Sequence, residues 1–109
     1  MKYKFKYLRQ ILRLIDIEGI NLMVARSPVK TLKYSELCEY INKLERDGCV
    51  EFCFTNPRLV NHLTDKGRVL LQISEDYKLL LKMREMLSQF NEPDCDTIIS
   101  VAEYVKLCL

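Results

Sequence analysis

The stretch Thr31–Gly67, TLKYSELCEYINKLERDGCVEFCFTNPRLVNHLTDKG, decides the fold. Its order reads helix, glycine stop, strand, turn, strand, helix start. Leu37, Ile41 and Leu44 recur at i, i+4 and i+7, one face of a helix over about 32–47 with Thr31 as its N-cap. Gly48 follows Arg46 and Asp47 where a C-cap glycine belongs. Val50, Phe52 and Phe54 then alternate with Cys49, Glu51 and Cys53, the period of a half-buried strand over 49–54. Asn56-Pro57 breaks that strand, because proline cannot donate to a ladder, and Pro57 suits position i+1 of a type I or II turn. A second strand returns over 59–63. With an even loop, Val50, Phe52 and Phe54 share a face with Leu59, Asn61 and Leu63. Glu51, Cys53, Val60 and His62 then share the other, which sets the only histidine beside Glu51 or Cys53 as a surface pair. Thr64-Asp65 offers the N-cap and first-turn acid of the next helix.

Two strings within this stretch resemble winged helix-turn-helix proteins of the MarR/PadR kind. Leu44-Glu45-Arg46-Asp47-Gly48-Cys49-Val50 is similar to the "LE-x-x-G-x-V" that ends the recognition helix in that family. Leu63-Thr64-Asp65-Lys66-Gly67-Arg68 is similar to the "LT-x-K-G-R" that follows its wing. The resemblance covers about a third of the chain. It implies a mainly α fold with a small β-hairpin, double-stranded DNA as partner, and a homodimer. In the family's docking mode the start of the recognition helix faces the major groove. That places Lys30, Lys33, Tyr34 and Ser35 at DNA, with Arg58 at the wing for the adjacent backbone or minor groove. Glu36 and Glu39 on the same helix suit solvent better than phosphate, although a Glu can accept from cytosine N4.

Working outward, residues 3–17 read as a first helix, with Phe5, Leu8, Ile11, Leu12 and Ile15 on one face and Gly19 as its stop. Residues 20–30 read two ways. Ile20, Leu22 and Val24 alternate as in a strand, while Leu22 to Ala25 make a short helix capped by Asn21, and Ser27-Pro28 ends either. After the hairpin, one long helix is expected over 65–90. Leu63, Leu70 and Tyr77 recur at seven, as do Ile73, Leu80 and Leu87. Asn91-Glu92-Pro93-Asp94 breaks it, and a last helix over 95–108 is apolar almost all round. A domain this small is expected to hide such surface in a second copy of itself, through Leu80, Met83, Leu87, Phe90, Ile98, Val101 and Val105. The organisation is then a winged-helix part over 1–63 and C-terminal dimerisation helices over 64–109, within one compact domain.

Composition narrows the function classes. The chain has 109 residues and net charge +2. Residues 1–33 hold eight bases and two acids, and the remainder nine bases and thirteen acids. A basic third on an acidic body reads two ways, as a surface that meets phosphate or as bases that solvate a helix. No apolar run is long enough to span a membrane, and no apolar core follows the basic residues of MKYKFKYLRQ, so a cytoplasmic protein without a signal peptide is expected. Cys38, Cys49, Cys53, Cys95 and Cys108 have no metal-site spacing and read as reduced, small apolar residues. Glu92, Asp94 and Asp96 lack the glycine and distant glutamate of a calcium loop and are read as acids at a helix start. There is no nucleophile–base motif, P-loop or G-x-G-x-x-G, so neither an enzyme nor a cofactor or metal is expected. Two classes remain: a dimeric DNA-binding transcriptional regulator, and a winged-helix module for protein contact or assembly without DNA binding. The basic third favours the first; the acids on the recognition-like helix and the apolar C-terminal helices favour the second.

Overall fold

The apolar stripe of the first fifteen or so residues folds as α1 (Phe5–Ile17), with Leu8, Ile11, Leu12 and Ile15 turned inward and fully buried. This is a computed structural model, and it describes residues 4–108. The chain continues through β1 (Ile20–Asn21), α2 (Tyr34–Arg46), β2 (Val50–Cys53), β3 (Asn56–Leu63), α3 (Asp65–Glu75), α4 (Tyr77–Leu87) and α5 (Cys95–Leu107). Among the described residues the fold is therefore α+β, with five helices and one three-stranded antiparallel sheet in the order β1-β3-β2. None of these helices is long and apolar enough to cross a membrane.

The two-way reading of residues 20–30 ends in a strand of two residues and no helix. Side-chain oxygens take the amides that a helix would need. Asn21 Oδ1 accepts from Met23 N–H at 2.9 Å, and Ser27 Oγ accepts from Val29 N–H at 3.2 Å. These short loops compete with helical bonding wherever Asn and Ser sit beside it. Thr31 is not the N-cap of α2. It stands at φ +65°, its hydroxyl bonded to Tyr7 Oη at 2.8 Å, and the helix starts two residues later than the sequence implies, after Lys33. The Glu36 carboxylate accepts from the Lys33 amide at 3.1 Å, so this acid closes the helix start.

The hairpin turn is Phe54-Thr55, not Asn56-Pro57. Asn56 Oδ1 accepts from Arg58 N–H at 3.0 Å, which keeps Pro57 within β3. Pro57 is tolerated there because β1 pairs only with Leu59 and Val60, and β2 pairs with Asn56 and Val60 on either side of it, so neither neighbouring strand asks for its missing N–H. Register shifts on either side of Phe52 also redistribute the faces. Val50 pairs with Leu63 and Phe52 with Val60, which turns Val60 inward to full burial and leaves Asn61 and His62 both exposed. His62 Nε2 meets Glu51 Oε2 at 2.8 Å across the two strands, the surface pair expected.

The long helix over 65–90 is two helices. Asp76 leaves helical geometry at φ −94°, ψ 90°, and its Oδ1 accepts from Leu79 N–H at 3.1 Å as the N-cap of α4. A heptad pattern reads straight through such a cap, because one aspartate does not disturb apolar spacing. Asp76→Ala is expected to cost about 1 kcal/mol of stability. A straight helix would instead gain from alanine. A urea midpoint that rises in this variant would contradict the break.

The break lets α4 and α5 pack together, with α5 also against α3. As a result Met83, Ile98, Val101 and Val105 are buried within the chain itself, at 0–7 % exposure, together with Cys95 and Ala102. The all-round apolar pattern of the last helix therefore needs no second chain to cover these four expected interface residues. Cys95 lies against Cys49; that neighbouring thiol and burial push the Cys95 thiol well up, so it packs as a neutral side chain. Thr64 caps α3, its Oγ1 accepting from Gly67 N–H at 3.2 Å, and Asp94 caps α5, accepting from Thr97 N–H at 2.7 Å.

Candidate nucleic-acid interface

One carbonyl gathers three segments that are distant in sequence. Leu22 O accepts from Tyr34 Oη at 2.6 Å and from Arg58 Nη2 at 3.1 Å, and Arg58 Nη2 also reaches Tyr34 Oη at 3.2 Å. The Leu22 amide returns a bond to Arg58 O at 2.8 Å. The loop over 22–33, the first turn of α2 and the tip half of β3 are thereby tied into one surface. Buried Val29 and Leu32 anchor the loop beneath, and Tyr7 holds it at Thr31.

Two stretches that contribute to that surface carry bases and no acid, while Glu18, Glu36 and Glu39 adjoin them. Between Glu18 and Glu36 the sequence has Arg26, Lys30 and Lys33 and no acid; between Glu51 and Asp65 it has Arg58 and no acid. All four cationic side chains belong to exposed residues. With net charge +2 for the whole chain, the rest carries net −2. Other bases are spent within the fold: Arg13 pairs with Glu75 at 2.7 Å, Lys66 with Asp96 at 2.9 Å and Arg68 with Asp65 at 2.7 Å. Lys43 is buried and donates to Glu92 O at 3.2 Å. Four exposed cations on a body that otherwise carries net −2 attract a polyanion.

The five expected contact residues take different places on this surface. Lys30, Lys33 and Ser35 are exposed at the loop and the start of α2. Tyr34 is half-buried, and its hydroxyl serves the Leu22 carbonyl. Arg58 lies along β3, not at the wing tip; one guanidinium nitrogen braces the loop. Glu36 is committed to the helix start, leaving Glu39 as the exposed acid next along α2. Two residues escaped sequence reading. Arg26 was legible in the acid-free window. Phe54, expected on the inner face of the first strand, is fully exposed at the hairpin tip. The tip is braced beside it: Cys53 Sγ lies 3.4 Å from Thr55 Oγ1, and that contact holds the Cys53 thiol below the usual range.

Separately, α4, the segment after it and Phe5 of α1 line an open groove of about 750 Å³. Leu80 and Leu87 are half-buried on its wall, and Tyr77, Leu81 and Phe90 are exposed along it. Leu80, Leu87 and Phe90 are thus the expected interface residues that remain accessible. Comparison of the chain with protein-family models, with curated proteins and with solved structures finds no match.

Proposed function

We propose that this chain is a DNA-binding protein of winged-helix architecture in which a loop, tied down through Leu22, replaces the helix that ordinarily precedes the recognition helix. The observation that carries the reading is the set of four exposed cations that the loop, the start of α2 and β3 contribute from stretches of sequence without an acid. The element order supports the architecture: a helix, a short strand, a helix, then a hairpin whose second strand lies centrally in the sheet. In this reading Lys30, Lys33, Arg26 and Arg58 meet phosphates, and Ser35 at the start of α2 faces base edges or the sugar-phosphate. Phosphate contacts supply affinity without sequence preference, so random duplex is bound weakly and a matched site better.

The reading includes a homodimer built on the α4 groove, with Leu80, Leu87 and Phe90 covered by the partner copy. Contiguous exposed apolar side chains at Tyr77, Leu81 and Phe90 support it. Two copies related by a dyad double the number of phosphate contacts and present two α2 helices to one duplex. Sedimentation at micromolar concentration is expected to give twice the chain mass, and Leu81→Glu, on an exposed side chain, to give the single-chain mass with the fold intact. A single-chain mass for the wild type would remove the dimer and leave the DNA reading in place.

The test of function is fluorescence anisotropy with a labelled random-sequence duplex at about 50 mM salt, where counterion release favours binding most. Saturable binding that weakens steeply with added salt is expected. Absence of binding would overturn the reading in favour of a protein-contact module, for which the acids Glu39 and Glu45 on the exposed face of α2 are the favouring observation.

A further inference from the structure

Phe54 is the most exposed large apolar side chain among the described residues, at 102 %. It sits on a two-residue turn, so nothing in the chain's own packing calls for an aromatic there. The turn is held from both sides by short side-chain bonds, Cys53 to Thr55 and Asn56 to the Arg58 amide. Asn56 Nδ2 also reaches Met23 Sδ at 3.8 Å, which sets a second exposed apolar residue against the tip of the hairpin. Every Asp, Glu, Lys or Arg in the two segments that form this end is Arg or Lys, as the acid-free windows require. An exposed apolar tip on a segment whose one residue among Asp, Glu, Lys and Arg is Arg58 suits a ligand with an anionic outside and flat apolar faces inside, which describes a nucleic-acid duplex.

We propose that Phe54 is a wedge that enters between adjacent base pairs when the chain binds duplex DNA, unstacking that step while Arg58, on the strand that follows the turn, holds the backbone. The inference rests on the DNA-binding reading above. Arg58 is the third residue of β3 and Phe54 opens the turn before that strand, so the cation and the wedge act at separate points of one groove. Easily unstacked pyrimidine–purine steps are the preferred points of entry.

The test uses a duplex carrying 2-aminopurine at a single TA step, with wild type, Phe54→Leu and Phe54→Ala compared for affinity and for fluorescence. Wild type is expected to raise 2-aminopurine emission on binding. Phe54→Ala is expected to bind about fivefold or more weakly, with no rise, and Phe54→Leu to fall between. The dependence of affinity on salt is expected to be the same for all three, because no phosphate contact is lost. Thermal unfolding should be unchanged, since Phe54 packs on nothing. Wild-type binding without a rise in emission, or a Phe54→Ala variant that binds and unstacks like wild type, would overturn the wedge while the DNA reading stands. Failure of the wild type to bind duplex at all would overturn the reading beneath it.

Discussion

Gly67→Ala is expected to destabilise the fold by about 3 kcal/mol or more, the upper end for overpacking a fixed site. A Cβ at Gly67 would collide with the Cys49 carbonyl oxygen and stand 3.2 Å from Leu63 Cβ. Neither neighbour is free to move. The Cys49 carbonyl accepts from the Thr64 amide at 3.0 Å, and the Cys49 amide donates to Leu44 O at 2.8 Å, closing α2. Leu63 is buried and paired with Val50. Gly67 is thus where the first turn of α3 presses on the junction between α2 and the hairpin. For a chain of this size the loss corresponds to roughly 10–20 °C in unfolding temperature. Circular dichroism during a thermal or urea scan measures it. A loss below about 1 kcal/mol would mean that α3 does not approach the Cys49 carbonyl so closely.

The double variant Lys30→Ala, Lys33→Ala is expected to weaken binding to random duplex by about tenfold or more at low salt. Each lost phosphate contact should lower the slope of log affinity against log salt by about one. Neither lysine contributes to packing: both are exposed, and Lys33 joins the helix start through its backbone amide, which alanine retains. The fold is therefore expected to survive unchanged, so circular dichroism separates a binding defect from a folding defect. Glu39→Gln is the complementary variant. Removing the exposed acid beside this surface should tighten binding on every sequence. Equal loss with and without salt in the lysine variant would contradict a phosphate role.

What could be read from residues alone was whatever has a local chemical signature. The string Leu44 to Val50 foretold the end of α2 and the start of β2, and Thr64-Asp65 foretold the start of α3, because caps and glycine stops are built from side chains next to one another. Strand alternation set His62 beside Glu51 or Cys53, and Glu51 is its partner. The failures share a different cause: each turns on a bond that competes with an otherwise valid pattern. Asp76 caps a new helix inside a continuous heptad. Asn56 accepts from the Arg58 amide and keeps Pro57 in a strand. The bulges around Phe52 reverse the face of Val60, and Phe54 ends in the turn. The candidate site divides in the same way. Its cations are visible as windows without acids. The Leu22 carbonyl that joins loop, helix and hairpin is a backbone atom of an ordinary leucine and leaves no mark in the sequence.

The central claim is that DNA lies on the surface made by the loop, the start of α2 and the hairpin. The most direct measurement is an amide NMR titration of the ¹⁵N-labelled protein with a random-sequence duplex at low salt. The account predicts shifts over residues 22–35 and 53–59, led by Lys30, Lys33, Phe54 and Arg58, with the amides of α4 and α5 unmoved. Shifts confined to α4 and α5, or none as duplex is added in excess, would contradict it.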